Sequence, residues 1–87
     1  MDIDEQAARI LQFLWRRELR GGVNRVGDAA ILEALQVDPT TVRTAVEVLE
    51  IRGCVLVSAM PEGGYIVTLT DLGSITAAQT GRRKSAP

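Results

Sequence analysis

The segment Ala30–Val55, AILEALQVDPTTVRTAVEVLEIRGCV, holds two helical patterns divided by one sharp break. In the first, Ile31, Ala34 and Leu35 point inward with Leu32 at the edge, which predicts a helix over about Ala29–Gln36. Val37-Asp38-Pro39-Thr40 is the break. Asp38 is placed to accept from the free N–H groups of a new helix, and Pro39 fits a first turn, where a missing N–H costs nothing. Val42, Ala45, Val46 and Leu49 then recur on one face, and the helix is expected to reach about Arg52. Gly53 stands where a left-handed residue ends a helix. A helix, a turn of about three residues and a helix pack at a steep angle.

Upstream, Ile3, Ala7, Ile10, Leu11, Leu14 and Trp15 share a helical face, predicting a helix over about Ile3–Leu19. Asp2 or Asp4, with Glu5, favours its start, Arg16, Arg17 and Arg20 its end, and Gly21-Gly22 stops it. Phe13 lies off the main stripe, where it either folds against a neighbouring element or meets a second subunit. Val23-Asn24-Arg25-Val26 reads as a short edge strand, and Asp28 as the cap of the helix that follows.

Downstream, the period changes. Cys54–Met60 and Tyr65–Thr70 are β-rich runs around the turn Pro61-Glu62-Gly63-Gly64, a hairpin signal. Val55, Val57, Tyr65, Val67 and Leu69 are placed to lie on the helices. Thr70 caps a last short helix from Asp71 to about Gln79. The expected organisation is one domain over residues 1–80 and a basic, disordered tail over 81–87.

Composition narrows the function. With 87 residues, 46% hydrophobic and 24% charged, the chain suits a single small globular core. It contains no histidine, which removes the usual general base, the common nucleophile pairs and the commonest transition-metal ligand. No catalytic residues, metal or cofactor are expected. The apolar runs are too short to span a membrane, and the acidic start Met1–Glu5 lacks the regions of a signal peptide. One cysteine, Cys54, reads as a small buried hydrophobe and fits a reducing, cytoplasmic setting. The net charge of −1 hides an asymmetry: three of the ten cations, Arg82, Arg83 and Lys84, sit in the tail, leaving seven against eleven acids in the body. A basic body would argue for nucleic acid; this one does not.

The order of elements resembles an α+β winged helix-turn-helix domain: a three-helix core, a β-hairpin wing and a short C-terminal helix. Specific residues carry the likeness: Leu35, then Val37 with Pro39-Thr40-Thr41-Val42, then Leu49-Glu50 with Gly53 and Val55, and finally Leu69-Thr70-Asp71-Leu72-Gly73. The last of these is similar to the "LT-x-x-G" signature of small bacterial and archaeal winged-helix regulators, including the multiple antibiotic resistance and phenolic acid decarboxylase regulator families. The likeness covers about residues 3–79. It implies sequence-specific binding of double-stranded DNA by a homodimeric transcriptional regulator, with the third helix in the major groove.

Carried over residue by residue, the resemblance puts Thr40, Thr41, Arg43, Thr44 and Glu47 toward the groove. Arg43 suits guanine O6 and N7, and the threonines suit phosphates or a thymine methyl. The compensating cations are Arg16, Arg17, Arg20 and Arg25 around the end of the first helix, which either contact phosphates or pair with the helix end and solvent, and Arg82, Arg83 and Lys84 in the tail, which serve either phosphate contact or solubility. Some features depart from the pattern. Glu47 and Glu50 place carboxylates on or beside this face, and the wing turn carries no Lys or Arg. Val48 and Ile51 lie off the inward face, either packed under the hairpin or the end of the first helix, or forming a patch for a protein partner. Trp15 and Tyr65 read as packing residues. The alternative is therefore a winged-helix protein–protein adaptor that does not read DNA.

Overall fold

Asp2 opens the first helix: its carboxylate accepts the Asp4 N–H at 3.0 Å, and the chain then coils without interruption to Gly21. The computed structural model describes residues 2–85, with side chains described to residue 80. The elements are α1 (Ile3–Gly21), β1 (Arg25–Gly27), α2 (Asp28–Leu35), α3 (Pro39–Ile51), β2 (Val55–Ala59), β3 (Tyr65–Leu69) and α4 (Asp71–Ser85).

The predicted stripe of α1 is its buried face. Ala7, Ile10, Leu11 and Leu14 pack against the inward face of α3, Val42, Ala45, Val46 and Leu49. Each large aliphatic removed from water there contributes roughly 1.5–3 kcal/mol. Trp15 and Phe13 are half-buried against the same core. Gln12 is a buried polar group among apolar neighbours. Its Nε2 donates to the Ala77 carbonyl at 2.8 Å, which ties α1 to α4 and removes the cost of an unpaired amide. Arg52 meets Asp4 at 3.0 Å across the far ends of α3 and α1, an exposed pair of small energetic weight.

The sheet has strand order β1-β3-β2, all antiparallel. Registers Val55↔Leu69, Val57↔Val67 and Ala59↔Tyr65, with Val26↔Val67 on the other side, put one residue set on a common face. Val26, Val55, Val67 and Leu69 are buried there, with Val57 and Tyr65 partly buried against the core. Cys54 is buried, as expected of a small hydrophobe. Gly53, at φ 80°, makes the turn from α3 into β2.

Thr70 closes the scaffold. Its hydroxyl accepts the Gly73 N–H at 3.0 Å and lies 2.7 Å from the Gly53 carbonyl and 3.0 Å from that of Cys54, donating to them. Gly73 is buried at this crossing, and a β-carbon on it would collide with the Cys54 carbonyl oxygen and the Leu69 side chain. The glycine of the "LT-x-x-G" signature is thus required by the close approach of helix α4 to the start of β2.

The structure corrects the sequence reading at several places. β1 begins at Arg25, and Val23 before it is exposed. Asp28 is not an N-cap: β1 runs directly into α2, so the cap position falls on Gly27, without a side-chain bond, and Asp28 is the first helical residue. Ala34 is exposed, and α2 buries only Ile31 and Leu35. Ile51 is 85% exposed rather than folded under the hairpin, while Val48 is half-buried. α4 continues to Ser85, past the end expected near Gln79; Ala86 and Pro87 lie outside the described residues.

Candidate nucleic-acid interface

The start of α3 is built by Asp38. Its two carboxylate oxygens accept the Thr41 N–H at 3.0 Å and the Thr41 hydroxyl at 2.6 Å. The hydroxyl bond, then the N–H bond, hold the Asp38 carboxyl below its usual pKa, with burial a smaller opposing influence. Thr41 therefore uses its hydroxyl to fasten the helix start. Thr40 is exposed, and the Thr44 hydroxyl donates back to its carbonyl at 3.0 Å.

Arg43 projects one turn further along the same exposed face. Its Nε donates to Glu47 Oε1 at 3.2 Å, and the two side chains are 47% and 53% exposed. Its guanidinium carbon lies 4.8 Å from the centre of the Tyr65 ring, within range for a cation–π contact. Its Nη1 and Nη2 make no hydrogen bond among the described residues. Arg43, Glu50, Asp28, Val57, Ala59, Gly64 and Tyr65 line an open groove of about 550 Å³ between α3 and the hairpin.

The far wall of that groove depends on Asp28. Its carboxylate accepts the Tyr65 N–H at 3.3 Å, joining the start of α2 to the start of β3. Gly64 sits against it at φ 82°: a β-carbon there would lie 2.7 Å from Asp28 Oδ1 and 3.1 Å from the Met60 methyl. Burial, and then the Asp28 charge, push the Tyr65 phenol above its usual pKa, while Arg43 pulls the other way. The phenol stays neutral at ordinary pH.

Of the expected site residues, Thr40, Thr41, Arg43, Thr44 and Glu47 come together on one exposed side of α3. Arg25 stands exposed at the start of β1, opposite Thr68 and outside the lining of the groove. Arg82, Arg83 and Lys84 lie on the last turns of α4, and their side chains are outside the described residues. A second cationic region lies on α1: Arg9 and Arg16 flank Phe13 over a groove of about 250 Å³, and Arg17 lies 5.6 Å from the Phe13 ring centre. Sequence reading missed Tyr65 and Asp28 as parts of the α3 face. The signal available was the inward alternation of β3, which puts Tyr65 at the outermost inward position, packed only partly against the core.

A helix-turn-helix pair (α2 and α3) braced by α1, a hairpin wing and a closing helix define the winged helix-turn-helix fold. Solved structures share it. A candidate DNA-binding protein of Ralstonia eutropha superposes with a TM-score of 0.78 at 24% identity, over 91% of this chain and 98% of that one. ZitR of Lactococcus lactis does so with a TM-score of 0.73 at 18% identity, over 95% of this chain. A MarR transcriptional regulator of Methanosarcina mazei matches with a TM-score of 0.67 at 22% identity, again over 95% of this chain. This chain spans 59% of the ZitR chain and 58% of the Methanosarcina one. No protein-family profile and no curated protein matches the sequence.

Proposed function

We propose that this protein binds double-stranded DNA sequence-specifically, as a small transcriptional regulator with α3 in the major groove. The observation that supports this best is the division of α3. Val42, Ala45, Val46 and Leu49 anchor one side in the core, while Thr40, Arg43, Thr44 and Glu47 project from the other. Arg43 suits guanine, the threonines suit phosphate or a thymine methyl, and Glu47 suits cytosine N4. Arg25 and the α4 cations Arg82, Arg83 and Lys84 would contact phosphates. The known structures of the same fold include a MarR transcriptional regulator and a candidate DNA-binding protein, which favours the same reading.

The local charge sets the terms. Arg43 stands among Glu47, Glu50 and Asp28, and the wing turn carries Glu62 as its sole charge. Binding is therefore expected to be weak and only shallowly salt-dependent, because few cations are available to displace counterions. The test is retention of a genomic fragment pool and of random duplex at about 50 mM salt, where phosphate binding is strong. Retention that disappears in Arg43→Ala supports the reading. No retention of either duplex by the unaltered protein refutes it.

A second reading is favoured by a different observation. Ile51 is the most exposed large apolar residue among the described residues, and Leu72, also exposed, lies beside Gly53, two residues after Ile51 along the chain. Such a patch suits a protein contact, either a second copy forming a homodimer or a different partner. Light scattering at micromolar concentration decides the first: a monomer there removes the expectation of paired half-sites.

A further inference from the structure

We infer that Tyr65, on the wing strand, is a positioning residue that sets the plane of the Arg43 guanidinium for reading a guanine. The inference rests on the proposed role of α3 as the reading helix and adds a residue from outside that helix. Bidentate pairing to guanine O6 and N7 requires two N–H groups of the planar fork to lie in the plane of the base. An exposed arginine ordinarily samples many rotamers, and ordering it on binding costs free energy.

Two contacts restrict Arg43 before any DNA arrives. Glu47 takes its Nε at 3.2 Å, and the Tyr65 ring faces the guanidinium at 4.8 Å. Together they leave Nη1 and Nη2 without hydrogen-bond partners among the described residues. Glu47 also offsets the charge of Arg43. Attraction to any phosphate is reduced, while the directional donors remain. The pair thus favours discrimination over affinity, as a reading head in an acidic body requires.

Tyr65 is itself held. Asp28 accepts its backbone N–H at 3.3 Å, Ala59 pairs with it across the hairpin, and the ring is half-buried. Its ring therefore offers a fixed surface rather than a mobile one. The aromatic face carries the effect, so phenylalanine would substitute for tyrosine and leucine would not.

The experiment compares the unaltered protein with Tyr65→Phe and Tyr65→Leu on a duplex selected from a random pool. A matched duplex carries 7-deazaguanine, which lacks N7, at the guanine read by Arg43. Thermal melting of each variant confirms folding. The expected result is that Tyr65→Leu lowers the preference for guanine over 7-deazaguanine by about two- to fivefold, the scale of an exposed cation–π contact. Random-duplex affinity and its salt slope stay unchanged, and Tyr65→Phe keeps the full preference. Without DNA, the Arg43 Nε–H proton resonance carries a ring-current shift in the unaltered protein and in Tyr65→Phe, and loses it in Tyr65→Leu. An undiminished preference in Tyr65→Leu, or equal loss on all duplexes, overturns the positioning role while leaving DNA binding in place. If Tyr65→Leu fails to fold, the ring-current shift decides, and its absence from the unaltered protein overturns the inference. A protein that retains no duplex at all removes the reading on which the inference rests.

Discussion

Two junctions hold the hairpin to the helices, and each is set by a glycine with a different obstacle. Where α4 crosses the start of β2, a side chain on Gly73 would strike the Cys54 backbone carbonyl inside the core. Where the hairpin meets α2 and α3, a side chain on Gly64 would meet the Asp28 carboxylate and the tip of Met60. Main chain in a packed core has nowhere to retreat, whereas a carboxylate and a thioether end can turn aside. The α4 junction is therefore scaffold and fixes where the hairpin begins. The α3–hairpin junction is adjustable, and it is the one bordering the residues offered to DNA.

The sharpest way to break this contrast is Gly73→Ala. Adding one methyl group forces α4 away from Cys54, and the expected loss is about 3 kcal/mol of unfolding free energy, at the upper end for overpacking. Urea titration measures it. A loss under about 1 kcal/mol would show that α4 slides freely, and the two junctions would then be alike. Gly64→Ala comes next, at about 1–2 kcal/mol, chiefly the strain of an alanine at φ 82°. Its second signature is local: the Tyr65 amide resonance shifts as Asp28 turns away, while the α1–α3 core resonances stay in place. Disturbance spread through the core would count against an adjustable wing.

Much of the scaffold was legible in the sequence because it is periodic. The α1 and α3 stripes, the Asp38 start, the Gly53 turn and the inward set Val55, Val67 and Leu69 each follow from a repeat or a local capping rule. Errors came where one residue served two elements. Asp28 has the composition of a cap, yet a strand leading directly into α2 moves the cap to Gly27 and frees the carboxylate for Tyr65. Ile51 falls on the last turn of α3, where the chain leaves for β2, and nothing covers it among the described residues. The Arg43–Tyr65 contact spans α3 and β3, and no spacing rule along one element reports a contact between two. The Arg43–Glu47 pair, four residues apart on one helix, was legible for the opposite reason.

The smallest effect belongs to the start of α3, away from both junctions, where Asp38 is exposed. Its bonds to the Thr41 hydroxyl and N–H hold its folded-state pKa below that of the unfolded chain. The folded state then binds a proton less readily than the unfolded one, so the contribution of Asp38 to stability is complete above about pH 5, where both states are ionised. It falls away as pH drops through the unfolded and then the depressed folded value. In Asp38→Ala, stability at neutral pH should fall slightly, and the acid limb of stability against pH should flatten relative to the unaltered protein. Chemical denaturation at a series of pH values between about 2 and 7 measures both. The two curves should converge at the acid end. Curves that stay parallel throughout would mean that the capping bonds of Asp38 do not distinguish its charged form from its neutral one, and the start of α3 would then be held by Pro39 and the buried Val42 face alone.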